Sequence, residues 1–238
     1  MNYAKFAAFY DEIMGDRTDE IEQLRDYVTR YMPTASSLLE LGCGTGALLT
    51  GLAGDLSVTG IDQSPEMLAI AAKTVPNATL VSGDITKFSL GTRFDVVICM
   101  FDTLNHVADF EGWLEVFDRA HEHLVEGGLF VFDVNTVGRL RALGRQHPYV
   151  QEFGPHTLIM NITPAAGAVV LWEVKIFEHL AEDLFKLHHE KIFQLGVPLD
   201  VIRSALTRNF DLLDETDTEP GPTSDDSDRV YFAYRHRG

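Results

Sequence analysis

Five short apolar runs, each followed by a turn or a stretch of helical spacing, constrain the fold most strongly. They are SLLEL at Ser37–Leu41, SVTGID at Ser57–Asp62, ATLVSGD at 78–84, FDVVICM at 94–100 and LFVFDV at 129–134. Between them lie ALLTGLAGD, SPEMLAIAAKTV and FEGWLEVFDRAHEHLV. Strand and helix patterns that alternate in this way build an α/β fold with a parallel, doubly wound sheet. The fourth run is wholly apolar after Asp95, as befits a strand covered on both faces. Ser64 is placed as an N-cap with Pro65 at the first helical position, and the pair Gly127–Gly128 stops the helix that begins at Phe110. Ahead of the first strand, residues 3–31 carry helical spacing that Pro33 ends.

The pattern changes after Asn135. From about residue 149 to 197, TLIMNIT, AVVLWEVKIFEHL and FKLHHEKIFQL follow one another with partial apolar–polar alternation, as half-buried antiparallel strands do. LDVIRSALTRNF returns to helix, and DLLDET and RVYFAYR read as two closing strands that form an antiparallel hairpin at the sheet edge. Three parts are therefore expected: a core with an N-terminal helical lid over 1–148, a small antiparallel β insertion capping the site over 149–197, and the closing helix and strands over 198–238. The acidic loop 214–228 is expected to be mobile and solvated.

The chain has 238 residues and a formal net charge of −17, so a phosphate backbone would find few lysines and arginines to neutralise it. A nucleic-acid partner is disfavoured, and the acidity itself reads as a solubility feature. No apolar stretch approaches a membrane span, and the start MNYAKFAAFYDEIMGDR lacks the pattern of a signal peptide. The two cysteines, Cys43 and Cys99, sit in or beside apolar runs, too few for a disulfide framework or a zinc site. A cytoplasmic enzyme without a metal fits.

In a doubly wound sheet, ligands bind outside the carboxyl ends of the strands. The first strand runs into GCGTGA, a turn that lets backbone approach a ligand closely. That string also satisfies the dinucleotide fingerprint, so an NAD-dependent oxidoreductase and an S-adenosylmethionine enzyme both remain open at this point. Asp62 ends the second strand, where a carboxylate accepts hydrogen bonds from ribose hydroxyls under either reading. Glu40, just before the first glycine, suits a cationic ligand better than a pyrophosphate. Asp84 ends the third strand, within reach of an adenine amino group.

Taken in order and spacing, LLELGCGTG, GIDQSPEML, SGDITKF, FDVVICMFDTLNHV and HLVEGGLFVFDVNT resemble the successive motifs of class I S-adenosylmethionine-dependent methyltransferases. FYDEIM and the insertion resemble the bacterial small-molecule branch, with amino-sugar N,N-dimethyltransferases as the nearest type. The resemblance implies a Rossmann-like, mostly parallel seven-stranded sheet and S-adenosyl-L-methionine as cofactor. It implies that Gly42, Gly44 and Gly46 form the turn beside the amino-acid part of the cofactor, with Glu40 nearby. Asp62 would hold the ribose, Gln63 and Met67 flank the adenosine, Asp84 and Ile85 border the adenine, and Met100 supply backbone near the sulfonium. Tyr10 and Arg17 would belong to a lead-in segment folded over the cofactor, with Arg17 on its carboxylate. Tyr10 is equally well read as a core tyrosine.

Methyl transfer from a sulfonium is a direct displacement, so the enzyme chiefly aligns the reactants and excludes water. A base matters when the acceptor arrives protonated, as an amine does. His106 in FDTLNH is the candidate, with Tyr10 beside it as the other catalytic residue. The competing reading makes Asn105 and His106 mere loop ties, and Asp102 is a second candidate for attracting a cationic substrate. His179, His188 and His189 are candidates for the acceptor pocket. FDTL stands where nucleic-acid amino-methylating enzymes carry Asn/Asp-Pro-Pro-Tyr, which again points to a small molecule. The expected activity is N-methylation of an amine. The alternatives are an O-methyltransferase, an NAD-dependent oxidoreductase or a non-catalytic cofactor-binding protein, and a homodimer is the expected assembly.

Overall fold

Parallel pairing of β1 (Ser37–Leu41) with both β2 (Ser57–Asp62) and β4 (Phe94–Cys99) organises the chain. The structure is a computed structural model and describes residues 5–146 and 148–238. Two further strands complete the parallel part, β3 (Thr79–Ser82) beside β2 and β5 (Leu124–Asn135) beside β4. The closing strands β10 (Phe210–Asp217) and β11 (Arg229–His236) add antiparallel to β5, giving a seven-stranded sheet of order β10-β11-β5-β4-β1-β2-β3. The order reverses between β1 and β4, and a crevice opens outside the carboxyl ends of strands at such a point.

Strand alternation splits the core across the sheet. Leu39 and Leu41 face the cluster that holds Trp113, Phe117, Phe130 and Phe132. Leu38 faces the opposite cluster with Leu24, Tyr27, Leu48 and Leu49. The first cluster is covered by α5 (Phe110–His123) and α7 (Leu199–Leu206), the second by α2 (Thr18–Tyr31) and α3 (Ala47–Leu52). Between β2 and β3 lies α4 (Pro65–Thr74), and the Ser64 hydroxyl accepts from the Met67 N–H at 3.3 Å as its N-cap.

A second sheet of order β6-β7-β8-β9 is antiparallel throughout: β6 (Tyr149–Phe153), β7 (His156–Pro164), β8 (Val169–Ala181) and β9 (Leu184–Leu195). One face buries Leu158, Val174, Ile176 and Ile192 against Phe6 and Phe9 of the N-terminal segment.

Several local expectations need correction. The helical stretch expected over 3–31 is broken. Tyr3 and Ala4 lie outside the described residues, a 3-10 turn Ala7–Phe9 leads into α1 (Tyr10–Met14), and Gly15 at φ +73° ends it. The Asp16 carboxylate then accepts from the Arg17 and Thr18 N–H groups and restarts the helix as α2. The third strand stops at Ser82, short of Asp84, because the Asp84 carboxylate turns the chain by accepting from the Thr86 N–H at 2.9 Å. The fifth strand begins at Leu124, so the pair Gly127–Gly128 falls within β5 instead of ending α5. One element had no counterpart in the expected pattern: α6 (Val137–Leu143), capped by Thr136. The acidic loop is tied down. Asp225 accepts from the Gly138 and Leu199 N–H groups, Thr136 bonds the Ser227 carbonyl, and Arg203 pairs with Glu215.

Candidate active site

The crevice at the β1/β4 reversal holds a cavity of about 510 Å³, ample for a nucleoside-sized ligand. Gly42 and Gly44 form its floor. Gly42 has φ +76°, and a Cβ there would lie 2.5 Å from the Thr103 methyl. Gly44, at φ +52°, has nothing within 4 Å of the Cβ position, so the turn presents bare backbone to the cavity. Asp62 locks this turn. Its carboxylate accepts from the Gly44 N–H at 3.0 Å and the Ser64 N–H at 2.8 Å, joining the ends of β1 and β2.

Asp62, Gln63 and Met67 line one wall, and Asp84 and Ile85 continue it. Burial raises the Asp84 pKa, but the Thr86 backbone and hydroxyl bonds outweigh it and leave the carboxyl below its ordinary value. Thr86, Lys87 and the start of α5 with Asp109, Glu111 and Glu115 complete the rim. The rim and walls thus carry five carboxylates against one lysine, a field that favours a cationic ligand.

The opposite wall is set by the β4 exit. Phe101 at φ +57° and Asp102 at φ +50° are successive non-glycine residues in the left-handed region, a costly conformation held by its surroundings. Phe101, Thr103 and His106 line the cavity. The Asp102 N–H is held by the Asp133 carboxylate at 3.0 Å. Asn105 is fully buried; its amide donates to the Asn135 and Leu195 carbonyls at 2.9 Å each, and its carbonyl accepts from the Asn135 N–H. Asn105 is therefore the loop tie, and His106 beside it faces the cavity.

Tyr10 reaches the cavity from α1. Burial pushes its phenol pKa well up, so it presents a neutral hydroxyl. The Asp11 carboxylate accepts from the Thr45 hydroxyl at 2.6 Å and pins α1 to the glycine turn. Arg17 lies with its guanidinium 4.2 Å from the centre of the Phe101 ring, 3.9 Å from Glu20, and with a buried Nη2 that has no hydrogen-bond partner.

Four expected cofactor residues stand behind the cavity wall: Arg17, Glu40, Gly46 and Met100. Gly46 starts α3 and packs on Ala71 and Val75. The Met100 carbonyl is taken by the Thr103 hydroxyl at 2.7 Å, and Phe101 occupies the wall in its place. Glu40 is 3% exposed, its Oε2 has no partner, and burial with Asp62 nearby holds its pKa well above the ordinary value. Asp102 is not available to draw in a substrate, because Arg229 binds its Oδ1 at 2.7 Å. None of His179, His188 and His189 lines the cavity. His188 pairs with Glu178 at 2.7 Å and packs on Phe9, His179 bonds the Glu182 carbonyl, and His189 lies 3.7 Å from Glu173.

The donor set fits S-adenosylmethionine. The partnerless Glu40 Oε2 and Arg17 Nη2 are an acceptor and a donor lying close behind the glycine turn and the Phe101 wall. Arg17 complements a carboxylate, and Glu40, once ionised, an ammonium. Asp62 and Asp84 present carboxylate acceptors to the cavity. A methyltransferase-domain family model matches residues 38–128, the segment from β1 to the glycines of β5. Residues 38–128 are those of a methyltransferase domain. A dTDP-3-amino-3,6-dideoxy-alpha-D-glucopyranose N,N-dimethyltransferase of Streptomyces fradiae is 39% identical over 115 residues, 48% of this chain and 45% of that protein. The chain thus matches about half the length of this methyltransferase. A putative methyltransferase of Geobacillus sp. (strain WCH70) is 28% identical over 98% of both chains. The fold matches that of an S-adenosylmethionine-dependent methyltransferase from Clostridium acetobutylicum, with a TM-score of 0.88 at 21% identity over 99% of both chains. These similarities do not favour the NAD reading of GCGTGA. Among the described residues, no group of acids, histidines and cysteines is arranged to hold a metal, and no helix is long and apolar enough to cross a membrane.

Sequence reasoning missed Phe101, Thr103, Gln194 and Arg229. The first two follow the β4 motif directly, and a turn at a strand's carboxyl end is itself a signal. The last two reach the site only through strand pairing far along the chain.

Proposed function

We propose that this protein transfers the methyl group of S-adenosylmethionine to a nitrogen of a small-molecule amine. The observation that carries the reading is the shared wall of one cavity: the glycine turn and Asp62 on one side, His106 and Tyr10 on the other. When bound there, the cofactor supplies a methyl on a sulfonium, a good leaving group. Gly44, Asp62, Gln63, Met67, Asp84 and Ile85 are its binding residues in this reading, with Glu40 and Arg17 taking its charged ends. Phe101 and Tyr10 keep water from the reacting atoms. His106 takes a proton from the acceptor's ammonium, so that the amine presents a lone pair. The five carboxylates of rim and walls and the amino-sugar dimethyltransferase relative support a cationic amine over a hydroxyl.

Residues 149–197 are the acceptor cap of this reading, between the core 1–148 and the closing segment 198–238. A cytoplasmic location without nucleic-acid partners accords with the net charge of −17 and two buried free thiols. Exposed Phe185, Leu187 and Phe193 on β9 support a homodimer built on the second sheet. Calorimetric titration with S-adenosylhomocysteine and NADH side by side tests the reading. Saturable binding of the former with none of the latter is expected, and NADH binding alone would refute it.

A further inference from the structure

His106 does not stand alone in its wall. Its Nε2 lies 3.4 Å from the Asp102 Oδ2 and 3.3 Å from the Gln194 Nε2. Asp102 in turn is held from three sides: Arg229 on Oδ1 at 2.7 Å, the Gln194 amide on Oδ2, and its own N–H on Asp133. Arg229 also binds Asp133 at 2.7 Å, and the Gln194 carbonyl accepts from Asn135. Gln194 comes from β9 of the second sheet, Arg229 from β11, Asp133 and Asn135 from β5. Asp133 and Gln194 are 1% exposed or less, while the Asp102 and Arg229 side chains are partly exposed.

Two arrangements of the imidazole proton compete. With hydrogen on Nδ1, Nε2 accepts from the neutral Gln194 amide, but its lone pair then faces the Asp102 carboxylate. With hydrogen on Nε2, the carboxylate attracts it across an ion-pair distance of 3.4 Å. A bond to an ionised acceptor is about twice as strong as one between neutral groups, so the second arrangement wins. The charge count agrees. Two carboxylates and one guanidinium leave one net negative charge beside the ring, which an imidazolium neutralises.

We propose that Asp102 is a positioning residue that holds His106 as the Nε2–H tautomer, with Gln194 locking the Asp102 carboxylate from the cap sheet. Nδ1, itself buried in the cavity wall, is then the basic nitrogen. In the proton step, an N–H bond of the acceptor's ammonium breaks, an Nδ1–H bond forms, and the electron pair left on the acceptor nitrogen becomes its nucleophilic lone pair. The positive charge passes to His106, opposite Asp102. The proton step rests on the methyltransferase reading, whereas the tautomer does not.

Imidazole ¹⁵N shifts and two-bond ¹H–¹⁵N correlations of the full chain, at a pH where the ring is neutral, test the proposal without any acceptor. His106→Gln identifies the signals. The wild type is expected to show Nε2–H over Nδ1–H by roughly tenfold, the size of one charge-assisted bond. Asp102→Asn should bring the ratio to about one or below, since an amide holds no such preference. Gln194→Met keeps the volume of the side chain, and should broaden the ring signals while leaving Nε2–H the major form. A wild-type ring protonated mainly on Nδ1 would overturn the proposal, and so would an unchanged ratio in Asp102→Asn. Failure of methyl transfer with the tautomer as expected would count against the methyltransferase reading alone.

Discussion

Replacing Glu40 by Gln should make the protein more stable and bind its cofactor less well. Glu40 is 3% exposed, one carboxyl oxygen has no partner, and Asp62 adds a like charge nearby. Burial first, then Asp62, favours its protonated form, so the folded chain keeps this proton at pH values where the unfolded chain has released it. Above the ordinary carboxylate range, and up to the raised folded value, stability therefore falls as pH rises, by up to about 1.36 kcal/mol per pH unit for this group. Gln removes that slope. Urea unfolding from pH 5 to 8.5 should show the wild type losing ground to Glu40→Gln as pH increases. An ammonium beside Glu40 favours the ionised form, so binding of S-adenosylhomocysteine should release a proton in the wild type and none in the variant. Loss of a charge-assisted bond costs about 1.5–3 kcal/mol, or roughly 10- to 100-fold in affinity. Calorimetry in two buffers of different ionisation enthalpy reads both quantities. A variant that is less stable at every pH, or that binds equally well, would show that Glu40 is not a protonated acid awaiting an ammonium.

Other outcomes follow from the same geometry. Asp62→Ala removes the acceptor of the Gly44 and Ser64 N–H groups, and S-adenosylhomocysteine affinity by calorimetry should fall at least tenfold, about 1.4 kcal/mol. Gly42→Ala drives a methyl into Thr103 at a left-handed φ and should lower stability by about 1–3 kcal/mol in urea. Arg229→Met strands two buried carboxylates and should cost about 3–5 kcal/mol, read by the same unfolding curves. His106→Ala should lower turnover about 100-fold with cofactor affinity unchanged within twofold, and equal loss of both would make it structural.

Local chemistry was legible where it stays local. The bounds of β1 and β2 match the expected runs residue for residue, and the Ser64–Pro65 start of α4 is read directly from capping rules. The glycine turn, Asp62 and Asp84 follow from the rule that ligands sit at strand ends. Misreadings arise where tertiary pairing overrides local pattern. Gly127 and Gly128 look like a helix stop, yet β4 and β11 hold their neighbours as strand. The loop 214–228 looks like solvated acidic chain, yet its Asp225 and Ser227 satisfy the backbone and cap of α6 and the start of α7. Gln194 and Arg229 carry no motif at all. They meet Asp102 across 92 and 127 positions of chain, which only the two sheets bring together.

Incubation with S-adenosylmethionine labelled on the methyl group shows whether the protein transfers methyl, and to what. A screen of small amines, amino sugars, phenols and carboxylates should place the label on the nitrogen of an amine, with His106→Ala slowing the transfer. Label appearing only on hydroxyl or carboxylate acceptors, or on none while S-adenosylhomocysteine binds, would rule out N-methylation of a small amine.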